Sequence, residues 1–248
     1  MSVRHALIVL AHPDPQSFNA ALAHAAARAL TDLGARVSWS DLYAMGFGAV
    51  AGRGDILDAP AEGPFNLARE QGRAHAAGTL APDIRAEQAK LAEADFVLFQ
   101  FPLWWFGMPA ILKGWVDRVL TLGFAYGLGR WWNEGPMRDK RAMLSITTGS
   151  PAGAYAPDGR NGDIERILWP IEAGVLALCG FTVLPAVVAY GAPWMTDEER
   201  RDHIDRLCQR LRALEATPAR FFHPLSDFGD DMRLKPDVVP RTPGQHRP

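Results

Sequence analysis

The sequence predicts a three-layer, doubly wound α/β fold, a parallel five-stranded sheet with helices on both faces. Two observations carry this. Five short strand-like runs recur along the chain, the first of them continuously apolar in the pattern of a strand buried on both faces. Between them stand segments of helical periodicity, and strand alternating with helix implies parallel pairing through right-handed crossovers. With 48% hydrophobic and 22% charged residues among 248, usage is that of an ordinary globular chain, which excludes disorder, collagen and coiled coil.

The first strand is 6–11 (ALIVLA), a run bounded by polar residues and by His12-Pro13. Apolar residues then recur at Leu22, Ala26, Ala29 and Leu33, a helix starting at Asn19, and Gly34 stands where a left-handed cap would end it. A second strand follows at 37–42. Three more strand-like runs lie at 95–101 (DFVLFQF), 142–147 (AMLSIT) and 183–190, separated by helical segments at 82–93, 109–122 and 163–178. Thr196 and Glu199 have capping-box spacing, and Ile204, Leu207, Cys208, Leu211 and Leu214 form one apolar face of a last helix. The stretch from 43 to 82 is too long for a plain loop and is expected to hold short helices. Beyond Pro218 the chain is rich in proline and lacks periodicity, so the predicted organisation is one domain over 1–217 and an extended arm or tail over 218–248.

Charge and cysteine usage narrow the function classes. Lys and Arg total 26 against 28 Asp and Glu, a formal charge of −2, so the chain lacks the basic field of a nucleic-acid binder. Cys179 and Cys208 have neither CxxC nor His spacing, which points away from a disulfide framework or a metal site and toward a reducing cytoplasm. The run at 6–11 is too short for a signal segment or a bilayer span. Neither export nor membrane insertion is expected.

In open α/β sheets, ligands bind beyond the carboxyl ends of the strands, and three loops there are unusual. The first, His12 to Asn19 (HPDPQSFN), feeds a helix N-terminus whose free N–H groups favour phosphate, with His12, Ser17 and Asn19 as side-chain donors. The same Ser17 or Asn19 equally suits a plain helix cap. No Walker A or GxGxxG pattern accompanies the loop, which disfavours an NTPase or a standard dinucleotide dehydrogenase. The second loop, Pro102 to Pro109 (PLWWFGMP), sets Trp104, Trp105 and Phe106 between prolines. It is either a platform for a flat heteroaromatic ring or an apolar dimer interface. The third runs from Thr147 through Thr148, Gly149, Ser150 and Tyr155 to Gly162. Its glycines allow a ligand close to the backbone, and Tyr155 is either a hydrogen-bond donor to charge developing on a ring carbonyl or a packing residue. With no catalytic Ser/His/Asp order, the three loops point to a cofactor that brings its own chemistry, flavin above all.

These residues also resemble a known family. ALIVLAHPDPQSFN, FQFPLWWFGMPAILKGWVDRVL, SITTGSPAGAY and ILWPIEAGVLALCGF are similar to segments of the NAD(P)H:quinone oxidoreductases of the DT-diaphorase type. The likeness runs from about Val3 to Tyr190 and more loosely to Phe222. It implies a flavodoxin-like fold, a homodimer with sites shared across subunits, FAD in preference to FMN, NAD(P)H as co-substrate and two-step hydride transfer to quinones. By the resemblance, His12, Ser17, Phe18 and Asn19 cradle the cofactor phosphates. Pro102, Leu103, Trp105 and Phe106 run along the ring, with Trp104 standing where glutamine is usual. Thr147, Thr148, Gly149 and Tyr155 cover the ring's polar end. Asn66 and Arg200 serve the adenine half.

Substrate space, by the same resemblance, is formed by Trp105, Phe106, Tyr126 from the partner, Leu128, Gly149, Ser150 and Leu178, with Leu128, Ser150 and Leu178 departing from the family's residues. Asn161 takes the place of a histidine that assists Tyr155, and an asparagine cannot accept a proton at neutral pH. Two other functions share the fold: an FMN-dependent reductase of nitro or azo compounds, and a cytoplasmic regulatory subunit of a potassium-efflux transporter.

Overall fold

The computed structural model describes residues 3–246; residues 1 and 2 of the predicted domain and 247 and 248 of the arm lie outside them. Five strands, β1 (His5–Leu10), β2 (Arg36–Asp41), β3 (Phe96–Pro102), β4 (Arg141–Thr147) and β5 (Thr182–Ala189), form one sheet in the order β2-β1-β3-β4-β5. Every pairing is parallel. The chain therefore leaves β1 in one direction to reach β2 and returns past it to reach β3, which opens a crevice at the carboxyl ends of β1 and β3. β5 is an edge strand, where Pro185 is tolerated because one side of the ladder needs no N–H, and the register against β4 shifts between Met143 and Ser145.

Alternating strand residues serve two cores. Ala6, Ile8, Leu98 and Met143 meet α1 (Phe18–Asp32) and α6 (Asp197–Arg212) through Leu22, Ala26, Leu207 and Leu211. Leu7, Val9, Val97, Phe99 and Leu144 pack on the other face with Leu91, Leu112, Trp115 and Leu168, which lie on α3 (Pro82–Glu93), α4 (Ala110–Val119) and α5 (Ile164–Ile171). The capping box at Thr196 and Glu199 is formed, and Gly34 adopts φ +87° just past α1.

Several predicted boundaries need correction. Strands one, two and five each sit one residue earlier than predicted, because ladder pairing sets their ends. Asp95 does not join β3: its carboxylate accepts the N–H groups of Arg4 and His5 at 3.0 and 3.2 Å. The helix predicted to 122 ends at Val119, whose carbonyl accepts from Gln88 Nε2 at 2.9 Å. The helix predicted over 163–178 is α-helical only to Ile171 and continues as a π-helix over Glu172–Ala177. Pro170 lacks the N–H that α-helical pairing requires, so the ladder changes pitch beside it.

The 43–82 stretch holds a 3₁₀ turn at Arg53–Asp55 and helix α2 (Leu67–Ala77). Buried Arg118 of α4 fastens it. The guanidinium donates to Asp55 Oδ1 at 2.9 Å, Asp83 Oδ2 at 2.7 Å and the Gly48 carbonyl at 3.0 Å, and covers the Phe47 ring. Gly114 lets the Ala49 backbone touch α4 where any Cβ would collide. Residues 218–246 run over the body with one 3₁₀ turn, Leu225–Asp227. Phe222 stacks near Trp169, and His223 is buried between the Asp227 carboxylate at 2.7 Å and the Arg241 N–H at 3.2 Å.

Candidate active site

The crevice between the ends of β1 and β3 contains a cavity of about 470 Å³. The loop after β1 forms one wall. Ser17 caps α1, its hydroxyl accepting the Ala20 N–H at 3.1 Å, so the capping alternative holds for this side chain. The first-turn N–H groups of Phe18 and Asn19 have no intrahelical acceptor and carry the positive end of the helix dipole. The Asp14 N–H donates to His12 Nδ1 at 3.1 Å, which places the proton of the neutral imidazole on Nε2, free to donate. A ring protonated at Nδ1 would instead donate to the Asp14 carbonyl, 3.2 Å away. Arg200 completes this wall: its guanidinium donates to the carbonyls of Met195 and Ala192 at 3.2 and 3.1 Å and lies over the Phe18 ring at 5.4 Å.

The loop after β3 is a tight reversal. Trp104 and Gly107 exchange both backbone hydrogen bonds, at 3.1 and 3.0 Å. The two residues between them, Trp105 and Phe106, have φ of +51° and +58°, a left-handed conformation that costs a non-glycine residue roughly 1–2 kcal/mol. Their own N–H groups take no part in the turn. Trp105 is 98% exposed, and Trp104 turns its ring toward His12 across the cavity.

The third wall comes from the end of β4. Thr147, Thr148 and Gly149 line the cavity with Pro102, Leu103, Trp104 and Trp105. The Thr148 hydroxyl donates to the Ser150 carbonyl at 2.8 Å, shaping the turn that follows.

The structure thus gathers His12, Ser17, Phe18, Asn19, Pro102, Leu103, Trp104, Trp105, Thr147, Thr148, Gly149 and Arg200 around one cavity. Phe106 and Ser150 adjoin it in sequence without lining it. Tyr155 is buried outside it, 5.7 Å from the Tyr190 ring, and its hydroxyl makes no hydrogen bond among the described residues. Burial, together with Asp163, Tyr155 and Glu165, raises the pKa of Tyr190. The Asn161 N–H donates to the Ala154 carbonyl at 2.8 Å, folding its loop back beside Tyr155.

Tyr126 and Leu178 are elsewhere. They line a second cavity of about 370 Å³ with Asp117, Val175 and Cys179, whose thiol burial pushes up to about 12. Asn66 caps α2 beside that second cavity, accepting the Arg69 N–H at 3.0 Å, and Leu128 is 93% exposed. Sequence reasoning missed Ala192 and Pro193, which line the first cavity from the carboxyl end of β5.

The walls of the first cavity fit a flavin that carries phosphate. Free N–H groups at a helix start, a free imidazole N–H and a pinned guanidinium suit phosphate, while the aromatic turn suits a planar ring. Comparison with known proteins agrees. Residues 4–214 match a family model described as flavodoxin-like fold. The chain is 44% identical to NAD(P)H dehydrogenase [quinone] 1 of Rattus norvegicus over 92% of this chain and 84% of that protein. The chain belongs to the NAD(P)H:quinone oxidoreductase family. It is also 43% identical to ribosyldihydronicotinamide dehydrogenase [quinone] of Mus musculus, over 86% of this chain and 93% of that one. A Klebsiella pneumoniae protein proposed to be a quinone reductase superposes with TM-score 0.92 at 40% identity, covering 98% of this chain and 97% of the other. Among the described residues no helix is long and apolar enough to cross a membrane.

Proposed function

We propose that the protein is a homodimeric, FAD-dependent NAD(P)H:quinone oxidoreductase of the cytoplasm, passing a hydride from NAD(P)H to a quinone in two half-reactions at one place. Family membership supports the enzyme class. The observation that carries the site is the cavity at the β1/β3 crevice, where a helix N-terminus, His12 Nε2–H and Arg200 stand opposite the aromatic turn. A bound flavin supplies a ring that accepts and returns the hydride. This chain's residues do the rest. Phe18 and Asn19 N–H groups and His12 hold phosphate, and Arg200, beyond them, adds a cation for the adenylate half, which favours FAD over FMN. The N–H groups of Trp105 and Phe106, unused by the turn, would be available to the ring edge. The Tyr155 hydroxyl, which in the single chain lies outside the cavity, would have to reach the ring's polar end to donate there, with Asn161 unable to supply a proton. Tyr126 and Leu178, from a second copy of the chain, close the substrate slot. Because both substrates occupy that slot in turn, the kinetics are ping-pong.

The test is to denature the purified protein and identify the released cofactor by chromatography. The intact protein is then bleached with NADH, NADPH or dihydronicotinamide riboside and recovered with a benzoquinone. FAD that bleaches and recovers is the expected result. FMN would transfer the assignment to the nitro and azo reductases, and a colourless protein that neither flavin reconstitutes would overturn it in favour of a regulatory subunit. Sedimentation at micromolar concentration should give twice the 27.2 kDa chain mass.

A further inference from the structure

Beneath the first cavity runs a line of three side chains whose inner end, Gln100, the cofactor reading leaves unexplained. Gln100, 0% exposed on β3, donates from Nε2 to Asn19 Oδ1 at 2.9 Å, and Asn19 Nδ2 donates to Thr147 Oγ1 at 3.0 Å. An amide nitrogen only donates and an amide oxygen only accepts, so the direction of the first bond dictates that of the second. Thr147 oxygen is thereby made an acceptor on its buried side. Its own proton has no partner among the described residues, and Thr147 lines the cavity.

Gln100 is an unfavourable choice for packing alone. Its Oε1 is buried without a hydrogen bond, as is Oγ of Ser145, its register partner on β4. An orphaned buried acceptor carries its full desolvation penalty, and an apolar side chain would avoid it. What the glutamine contributes is a direction.

We propose that Gln100 is a positioning residue of the cofactor site: acting through Asn19, it fixes the polarity of Thr147 so that the hydroxyl donates into the cavity, to an acceptor oxygen of the chain linking flavin ring and phosphate. The proposal rests on the flavin reading. Without the Gln100 donor, the Asn19 amide is free to turn over, presenting Oδ1 to Thr147 and drawing the hydroxyl proton inward.

The experiment is a double-mutant cycle on FAD affinity. Full-length wild type, Gln100→Leu, Thr147→Val and the double variant are titrated with FAD, following quenching of flavin fluorescence, with thermal melts to establish folding; Gln100→Met replaces the leucine variant if that one does not fold. Gln100→Leu should raise Kd roughly tenfold, the worth of one well-made hydrogen bond. In the Thr147→Val background the same change should alter Kd by less than about twofold, while in a Thr147→Ser background, which keeps the hydroxyl, the roughly tenfold effect of Gln100→Leu should persist. A merely structural role would weaken binding equally in the wild-type and Thr147→Val backgrounds, and that additive result, or a Gln100→Leu variant with unchanged Kd, overturns the relay alone. Wild type that takes up neither FAD nor FMN overturns the flavin reading and the relay with it.

Discussion

Glu172 offers a sharp test of the electrostatics under the C-terminal arm. It is 4% exposed at the start of the π-helix, with Oε1 unpartnered. Its nearest cation, Arg220 of the arm, holds Oε2 only at 3.5 Å because its Nη1 is engaged by Glu165 at 2.6 Å. Burial therefore dominates, Arg220 opposes it weakly, Glu165 adds to it, and the carboxyl is pushed from 4.5 to about 7. A carboxyl whose folded pKa is raised stays protonated in the folded chain while the unfolded chain ionises, so stability falls as pH rises from 4.5 and the loss is complete a little above 7. At 1.36 kcal/mol per tenfold change in acidity, that rise amounts to about 3 kcal/mol. Glu172→Gln preserves shape and cannot ionise. Urea unfolding of both proteins between pH 4.5 and 8 should show the variant gaining about 3 kcal/mol on wild type across the range, or about 6–12 °C in Tm. A difference between them that does not change with pH would refute the reasoning.

Arg118→Leu should cost about 3–5 kcal/mol in urea unfolding, because Asp55 is left as an uncompensated buried carboxylate; a loss below about 1 kcal/mol would contradict the fastening role of Arg118. His203, whose pKa burial and Arg206 depress to about 4, stabilises the neutral-pH fold by an amount lost as pH falls from 6.5 through 4. His203→Leu should remove that component, seen as a shallower acid-side decline in stability. Asn161→His should accelerate flavin reduction by NADH about 10²-fold, the low end for a positioned acid–base group; an unchanged stopped-flow rate would sink the role given to this position.

The central strands β1 and β3 were legible because they are buried along their whole length and read as largely apolar runs, whereas the edge strand β2 is mostly half-buried and carries Ser38, Ser40 and Asp41. Strand ends were less legible, since Asp95 looks like the start of a strand until its carboxylate is seen holding two N–H groups of the neighbouring chain segment. The π-helix was announced by Pro170, but a missing N–H does not say whether the helix stops or changes pitch. In the site, residues contiguous in the loops could be read directly, because strand order puts the carboxyl ends of β1, β3 and β4 side by side. What periodicity cannot express is direction: that His12 accepts at Nδ1, or that Arg200 is held by two carbonyls, depends on neighbours that only folding supplies.

The energetics of the crevice are uneven, and the unevenness supports the proposed dimer. The carboxyl edge keeps two consecutive non-glycine residues left-handed and an almost fully exposed tryptophan. Strain of this kind persists only where surrounding structure overdetermines it, and the reciprocal Trp104–Gly107 bonds between buried β3 and α4 do so here. Glycine at both positions would relieve the backbone but remove the rings. Large apolar groups held outward at such cost are best matched by something that covers them. A second copy of the chain, bringing the cavity that contains Tyr126 and Leu178 against Trp105, would cover the rings and complete a slot that one chain supplies only in halves.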